Sequence, residues 1–87
     1  MSEKTILVTG GSGLVGANAV RFLLDRGEQP VLFDVALNER LLAAVGVDAK
    51  SIPVIRGDVS DMPGLISAIR DHGVNRIIHL AAFLGEE

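Results

Sequence analysis

Cysteine, tryptophan and tyrosine are absent from this sequence of 87 residues, and only three residues are phenylalanine. A chain without cysteine forms no disulfide and offers no thiolate to a metal ion, which is typical of a cytoplasmic protein. Its apolar runs are only a few residues long, too short to cross a membrane. The first four residues carry no charged run leading into an apolar cleavage region, so we expect no signal peptide.

An excess of positive charge is also missing. The formal net charge is −3, and the eight lysine and arginine residues are scattered rather than gathered in a stripe. Nucleic acid is therefore not an expected partner, because binding its phosphate backbone needs a basic surface. The hydrophobic fraction of 48% is instead typical of a folded, globular chain. At this length we expect one small domain at most, whose core is marginal unless something else covers it.

Four short aliphatic runs have the character of strands that are buried on both faces. They are rich in Val, Ile and Leu and do not alternate apolar with polar residues, as is typical of parallel strands. These runs are residues 5–8, 31–33, 52–55 and 77–81.

The segments between these runs have helical spacing. In the third of them, the apolar residues recur at i, i+3, i+4 and i+7, as Met62, Leu65, Ile66 and Ile69. Asn38 is a candidate N-cap for the second segment. The segments are 14–26, 38–45 and 60–72, and they end at Gly27, Gly46 and Gly73.

The predicted order is β-α-β-α-β-α-β with short connections. Such an alternation gives a parallel sheet with right-handed crossovers. We therefore predict an α/β fold with four parallel strands and three crossover helices.

The sharpest motif is the glycine-rich sequence at 9–16, TGGSGLVG, which follows the first predicted strand and opens the first predicted helix. Two glycine patterns overlap there, one starting at Gly10 and one at Gly11. A turn without Cβ atoms lets a pyrophosphate approach the backbone, and the N–H groups at the helix N-terminus then stabilise the anion. Gly16 would let the helix pack closely on the strand. The Lys-Ser/Thr pair of a P-loop is absent, so the motif predicts a dinucleotide site; a glycine-rich connection that binds nothing is the alternative.

Asp34 ends the second predicted strand, about twenty residues beyond the glycines. A dinucleotide-binding sheet has its acceptor for the adenosine ribose hydroxyls at this position. A carboxylate there would repel a 2′-phosphate, and Val35 and Ala36 supply no cation, so we predict NAD in preference to NADP. Arg40 is the nearby cation that would weaken this preference. A solvated carboxylate at a strand end is the alternative.

Asp58 and Val59 follow the third predicted strand. At that edge, Asp58 can accept a hydrogen bond from the adenine amino group while Val59 packs on the ring. A local role competes with this one, because Asp58, Ser60 or Asp61 can each cap the next helix. Position alone does not separate the two roles.

His79 is a lone histidine within the fourth predicted strand, and we expect it to be a core residue with its hydrogen bonds satisfied. No serine, cysteine or paired carboxylate lies near it in the sequence, so it is not predicted to be a catalytic base. Ala81 and Ala82 are small where this strand meets the crevice, and would let a cofactor pass closely.

Taken together, these residues resemble the extended short-chain dehydrogenase/reductase family, in particular its NAD-dependent epimerase/dehydratase branch. The resemblance covers essentially all 87 residues. Residues 9–16 match the family's TGxxGxxG turn, Asp34 its ribose acid, residues 57–59 its adenine-side segment, and residues 79–82 its HxAA-type fourth strand.

The resemblance implies a partial Rossmann-type sheet in the order 3-2-1-4, with NAD bound across it. It assigns Asp34 to the adenosine ribose, Asp58 and Val59 to the adenine, and capping of the next helix to Ser60 or Asp61. Members of this family epimerise, dehydrate or dehydrogenate sugars, often nucleotide sugars, with a tightly held NAD. The residues it places along the cofactor are Gly10, Gly13, Leu14, Val15, Gly16, Asp34, Asp58, Val59, Ala81 and Ala82.

The family's catalytic Tyr-x-x-x-Lys motif has no counterpart here, since the sequence contains no tyrosine. We therefore expect residues 1–87 to be the N-terminal part of an NAD(P)-binding domain, with substrate binding and hydride chemistry in a longer parent. The alternatives are a non-catalytic NAD(P)-sensing module of the same superfamily, or an α/β structural protein with an idle glycine turn. An unpaired apolar edge at 77–81 also predicts self-association.

Overall fold

The computed structural model of the chain describes residues 4–10, 13–35 and 38–80. Parallel strands and α-helices alternate in it, as the aliphatic runs and the helical spacing predict. The elements are β1 (Thr5–Thr9), α1 (Leu14–Asp25), β2 (Gln29–Asp34), α2 (Glu39–Ala44), a 3₁₀-helix (Ala49–Ser51), β3 (Val54–Arg56), α3 (Met62–Asp71) and β4 (Arg76–His79).

The four strands form one parallel sheet in the order β3-β2-β1-β4. The predicted α/β fold and the strand order are confirmed. In this order β1 is an inner strand, and the chain leaves it first towards β2 and β3 and later returns to its other side as β4. Both neighbours of β1 are therefore reached by crossovers through helices, as parallel pairing requires.

β1 is buried on both of its faces, which explains why its sequence is continuously aliphatic. Ile6 and Val8 belong to one core cluster, together with buried residues of α1 and α2. Leu7 points to the opposite face, where it packs with Phe33 and with Ala68 of α3. The sheet thus has α1 and α2 on one face and α3 on the other.

All three α-helices end in the same way, at a glycine with positive φ. In α1 the glycine is Gly27, with φ 78°, and the N–H of the next residue, Glu28, donates to the carbonyl of Leu23 over 3.0 Å. Gly46 and Gly73 end α2 and α3 with the same pattern of backbone hydrogen bonds. Residues with a Cβ adopt this backbone conformation at a cost, so the predicted glycine stops are confirmed in physical detail.

The third strand and the third α-helix begin later than the sequence predicts. Asp48 caps the 3₁₀-helix by accepting a hydrogen bond from the N–H of Lys50 at 2.9 Å, and this short helix occupies the start of the predicted strand. Ile52 is nevertheless buried in the core, although it lies outside the strand. α3 starts at Met62 because Asp61, rather than Ser60, is its N-cap.

Within the part of the chain that the structure describes, no helix combines the length and the apolar character needed to cross a membrane.

Candidate nucleotide-binding site

The carboxyl ends of the four strands meet at one edge of the sheet. In the strand register, Thr9 of β1 lies opposite Phe33 of β2 and opposite His79 of β4, and Asp34 lies opposite Arg56 of β3. The connections from β1 and from β3 leave this edge towards opposite faces. In open α/β sheets, ligands bind at the carboxyl ends of the strands where the strand order reverses, which here is between β1 and β4.

The glycine-rich turn starts at this edge. Gly10 has φ 71°, and its N–H donates to the carbonyl of Phe33 over 3.1 Å, which ties the beginning of the turn to β2. Residues 11 and 12 lie outside the described residues. Gly13 then adopts an extended conformation as the N-cap of α1, and its carbonyl accepts the N–H of Ala17 over 2.9 Å.

The N-terminus of α1 carries no side-chain cap, and no acidic residue is found in its first turn. A Cβ atom added to Gly13 would meet no described atom within 4 Å other than its chain neighbours, so the described residues leave space at this position. Leu14 and Val15 are 59% and 70% exposed beside this space, whereas Gly16 is buried. Backbone N–H groups and the positive end of the helix dipole at such a terminus attract an anion.

Asp34 is half-buried at the end of β2, and both its side chain and its backbone carbonyl accept hydrogen bonds. One carboxylate oxygen, Oδ1, accepts the N–H of Val35 over 2.7 Å. The carbonyl of Asp34 accepts the N–H of Gly57 over 3.0 Å, which brings the turn after β3 beside the end of β2. Arg40, the cation considered above, lies exposed in the first turn of α2.

The turn between β3 and α3 contains two acids, Asp58 and Asp61, and the structure shows which of them caps the helix. Asp61 caps α3 by accepting the N–H of Gly64 over 3.4 Å, so Asp61 carries out the capping and Ser60 does not. Asp58 is exposed, and its Oδ1 accepts the N–H of Ser60 over 2.9 Å. Val59 is half-buried and packs against the Leu7 cluster. Asp58 is therefore not the cap of α3.

Asp58 is held in its ionised form by Ser60. The backbone N–H of Ser60, and to a lesser extent its hydroxyl, donate to the Asp58 carboxylate and keep the pKa of Asp58 below its ordinary value. Slight desolvation acts in the opposite direction and is outweighed. Asp58 consequently presents a negative acceptor at the carboxyl edge over the neutral pH range.

Gly57 belongs to the adenine-side segment 57–59, but the sequence assigns it no role of its own. A Cβ atom at this position would lie 2.7 Å from Cζ of Phe33, whose side chain is buried. The Phe33 ring therefore packs directly against the backbone of the turn. A glycine between a strand and an acid was the only available signal, and close approach of a neighbouring ring is not visible in sequence.

His79 is exposed, so the prediction of a core histidine is wrong. Its strand pairs with β1 alone among the described strands, and it therefore lies at an edge of the described sheet. The hydrogen-bonding part of the prediction is confirmed, because Nδ1 of His79 lies 2.6 Å from Oγ1 of Thr9. Next to this pair, the N–H of Leu80 donates to the Thr9 carbonyl over 2.8 Å.

Ala81 and Ala82 lie outside the residues that the structure describes, so their place along the cofactor stays a prediction. Over residues 4–10, 13–35 and 38–80, no three His, Asp or Glu side chains form a group that could hold a metal ion.

The sheet order and the glycine turn at its switch point define a partial Rossmann-type fold. A family model described as GDP-mannose 4,6 dehydratase matches residues 7–85. The chain belongs to this family, within the NAD-dependent epimerase/dehydratase branch of the extended short-chain dehydrogenases/reductases.

Individual relatives agree with this assignment. The chain is 33% identical over 79 residues to a UDP-glucose 4-epimerase of Klebsiella pneumoniae, covering 87% of this chain and 57% of the relative. It is 40% identical over 79 residues to a 3 beta-hydroxysteroid dehydrogenase/Delta 5→4-isomerase of Mycobacterium tuberculosis. This match covers 91% of this chain and 19% of the relative. Among solved structures, the UDP-glucose 4-epimerase of Thermus thermophilus in complex with NAD superposes with a TM-score of 0.73 at 33% identity, over 90% of this chain and 24% of that one.

The chain thus spans 57% of the first of these relatives and about a fifth to a quarter of the other two. The relatives named are all enzymes, so the alternative of a non-catalytic sensing module gains no support from them. The shared segment is the one that contains the carboxyl edge described above.

Proposed function

We propose that the carboxyl edge of the sheet binds the adenosine diphosphate half of NAD. The observation that carries this proposal is the N-terminus of α1, where Gly13 supplies no side-chain cap and the described residues leave space around it. A diphosphate in that space would accept hydrogen bonds from the first N–H groups of the helix and would be stabilised by the helix dipole. The Thermus relative, solved as an NAD complex, supports the choice of dinucleotide.

The residues along the turn have distinct roles in this proposal. Gly10 and Gly13 let the diphosphate approach the backbone, and Gly16 lets α1 lie close to the sheet. Leu14 and Val15 contribute backbone N–H groups, while their exposed side chains shield the diphosphate from water.

The adenosine lies beyond the diphosphate, towards β2 and β3. Asp34 accepts hydrogen bonds from the ribose hydroxyls, and its charge disfavours the 2′-phosphate of NADP. Asp58 accepts from the adenine amino group, Val59 packs on the ring, and Ala81 and Ala82 line the cofactor on the β4 side. Because the charge of Asp34 disfavours the 2′-phosphate, we expect NAD to bind more tightly than NADP.

In the whole protein, we propose an oxidoreductase-based reaction on a sugar or nucleotide-sugar substrate. The UDP-glucose 4-epimerase relative and the family description both name such substrates. The residues described here supply the cofactor site, and the substrate site and the proton-transferring residues then belong to the remainder of a longer parent.

Calorimetric titration of the chain with NAD and with NADP tests the cofactor proposal. We expect tighter binding of NAD. Asp34→Ala should weaken NAD binding by about 10- to 100-fold, because each lost charge-assisted hydrogen bond contributes roughly 1.5–3 kcal/mol. The same variant should also bring the NAD and NADP affinities closer together.

Asp71→Ala is the matched control for this titration. Asp71 is an exposed aspartate at the carboxyl end of α3, where the chain has returned to the opposite edge of the sheet. Its removal changes the net charge by the same amount and should leave both affinities unchanged. An NAD:NADP ratio unaffected by Asp34→Ala would remove Asp34 as the selectivity residue, and a wild-type chain that binds neither dinucleotide would refute the proposal.

A further inference from the structure

Thr9 and His79 form a polar pair on the face of the sheet that packs towards α3. Alternation along β1 places Thr9 on the same face as Leu7, which packs towards α3. His79 is the register partner of Thr9 on β4, and Phe33 is its partner on β2. Thr9 thus lies between Phe33 and His79 in the strand register, at the last position before the glycine-rich turn.

The hydroxyl of Thr9 needs its hydrogen bond because it is removed from water. Thr9 is 1% exposed and is the buried polar side chain of the described core. A buried donor without an acceptor is destabilising, whereas an acceptor that is only partly used costs less. Among the described residues, Nδ1 of His79 is the hydrogen-bond partner of this hydroxyl, at 2.6 Å.

This asymmetry fixes the direction of the hydrogen bond. If Nδ1 of His79 carried the proton and donated it, the hydroxyl proton of Thr9 would be buried without an acceptor. If the hydroxyl donates instead, Nδ1 is the acceptor and the imidazole carries its proton on Nε2. For a neutral imidazole, the structure therefore favours the Nε2–H tautomer of His79.

Three hydrogen bonds hold the end of β1, where the glycine-rich turn starts. The N–H of Gly10 donates to Phe33, the N–H of Leu80 donates to the Thr9 carbonyl, and the Thr9 hydroxyl bonds to His79. The first ties this point to β2, and the other two tie it to β4. The side-chain bond is the one that depends on residue type.

We infer that His79 is a positioning residue for the nucleotide-binding turn, acting through the hydroxyl of Thr9. The inference rests on the proposed function of this edge. His79 holds the end of β1 against β4, and so fixes where Gly10 and the N-terminus of α1 stand relative to a bound diphosphate. It does not take part in chemistry itself.

Substitutions at Thr9 test this role with little risk to the fold. Thr9→Val removes the hydroxyl while it keeps the shape of the buried side chain, and the exposed His79 can bond to water instead. We expect its NAD dissociation constant to rise about fivefold, with the thermal midpoint of unfolding little changed.

Thr9→Ser keeps the hydroxyl and should retain an affinity close to that of the wild type. His79→Asn places an amide near the position of Nδ1 and should also be close to wild type, whereas His79→Phe should behave like Thr9→Val.

Thr5→Val is the matched control on the same strand and the same face. The Thr5 hydroxyl bonds to Oε1 of Gln29 over 3.2 Å at the amino end of β1, away from the turn. Its loss should not change the NAD dissociation constant. If Thr9→Val and Thr5→Val bind NAD as tightly as the wild type, the positioning role is wrong.

A nitrogen-detected NMR spectrum of the ligand-free chain tests the hydrogen bond independently of NAD. Recorded at about pH 8.5, where imidazoles are ordinarily neutral, it should show the Nε2–H tautomer of His79 in the wild type and a loss of this preference in Thr9→Val. A dominant Nδ1–H tautomer would overturn the inference. A wild type with the expected tautomer that binds no NAD would refute the proposed function and the positioning role with it. A wild type that binds NAD, with Thr9→Val equal to it, would refute the positioning role alone.

Discussion

At the scale of single residues, position 57 requires a glycine because the Phe33 ring lies against it, and not because of its backbone angles. The Phe33 ring occupies the volume that a side chain at position 57 would need, at 2.7 Å from the Cβ position. The same contact keeps the end of β2 and the Asp58 turn together. Substituting this glycine therefore disturbs two of the proposed adenosine-binding residues at once.

Gly57→Ala should lower the free energy of unfolding by about 1–3 kcal/mol, because the ring or the backbone of the turn must move to admit a methyl group. Urea unfolding followed by circular dichroism measures this loss. Gly13→Ala is the contrasting variant, since its methyl group would meet no described atom within 4 Å other than its chain neighbours. It should change stability by less than about 1 kcal/mol while weakening NAD binding. Equal stability losses in the two variants would contradict the packing argument.

Ser60 controls the titration of Asp58. Because the folded pKa of Asp58 is lowered, the stabilisation from its bonds to Ser60 is complete above the unfolded pKa, about 3.9. It is lost as the pH falls through the lower, folded value. Ser60→Ala removes the hydroxyl but keeps the N–H donor, so the pKa of Asp58 should rise only part of the way to its ordinary value. Carbon-detected NMR titration of the carboxyl group measures this, and an unchanged midpoint would mean that the hydroxyl has no role.

At the scale of elements, the two longer helices are held to the sheet to different extents. α1 buries four residues, Gly16, Ala17, Val20 and Leu23, whereas α3 buries only Ala68. Leu65 and Ile69 of α3 are half-buried, and Met62 and Ile66 are exposed. Within the described chain, the predicted apolar stripe of α3 is therefore only partly buried.

Amide hydrogen exchange should show this difference. The most protected amides of α3 should exchange at least about tenfold faster than those of α1, because local opening of α3 exposes less apolar surface. Exchange measured by NMR on one sample compares both helices under identical conditions. Equal protection in α1 and α3 would show that they unfold as one unit, and would contradict the expectation.

The elements also show which features the sequence alone can predict. Aliphatic runs identify strands buried on both faces, and the glycines with positive φ mark the ends of all three helices, so the order of elements and the glycine turn were accessible. The 3₁₀-helix was missed because its signal is a single capping residue, Asp48, in front of Pro53. The exposure of His79 was missed because an apolar strand sequence does not tell an inner strand from an edge strand.

The site was predictable to a similar extent and for related reasons. Positions that follow strands, such as Asp34 and Asp58, can be placed at the carboxyl edge by topology alone. Contacts across strands cannot be placed in this way, because they depend on register. The proximity of Phe33 to Gly57 and of Thr9 to His79 is of this second kind.

At the scale of the whole molecule, we predict that the exposed side of β4 is a surface for association. Ile77 is 48% exposed in a strand that pairs with β1 alone among the described strands. Unpaired strand edges with apolar side chains tend to pair with other chains. We predict that the 87-residue chain self-associates through this edge.

Light scattering at roughly 50 µM should therefore report a mass above that of the monomer, which is 9.2 kDa. Ile77→Lys should shift the population to the monomer, since charged residues on edge strands oppose pairing. Phe22→Lys adds the same charge at an exposed apolar residue of α1 and should have no such effect. A monomeric wild-type chain at this concentration would count against association through β4.

The position of β1 between β2 and β4 also has a consequence for synthesis on the ribosome. Ile6 pairs with Pro30 on one side but with Arg76 on the other, 70 residues later in the chain. At about 5–20 residues per second, the second partner emerges roughly 4–14 s after Ile6. Until β4 has emerged, one side of this buried strand has no partner, so its apolar residues can aggregate with other chains. The glycine motif is made before β4, so the edge that positions it becomes complete only after β4 has been translated.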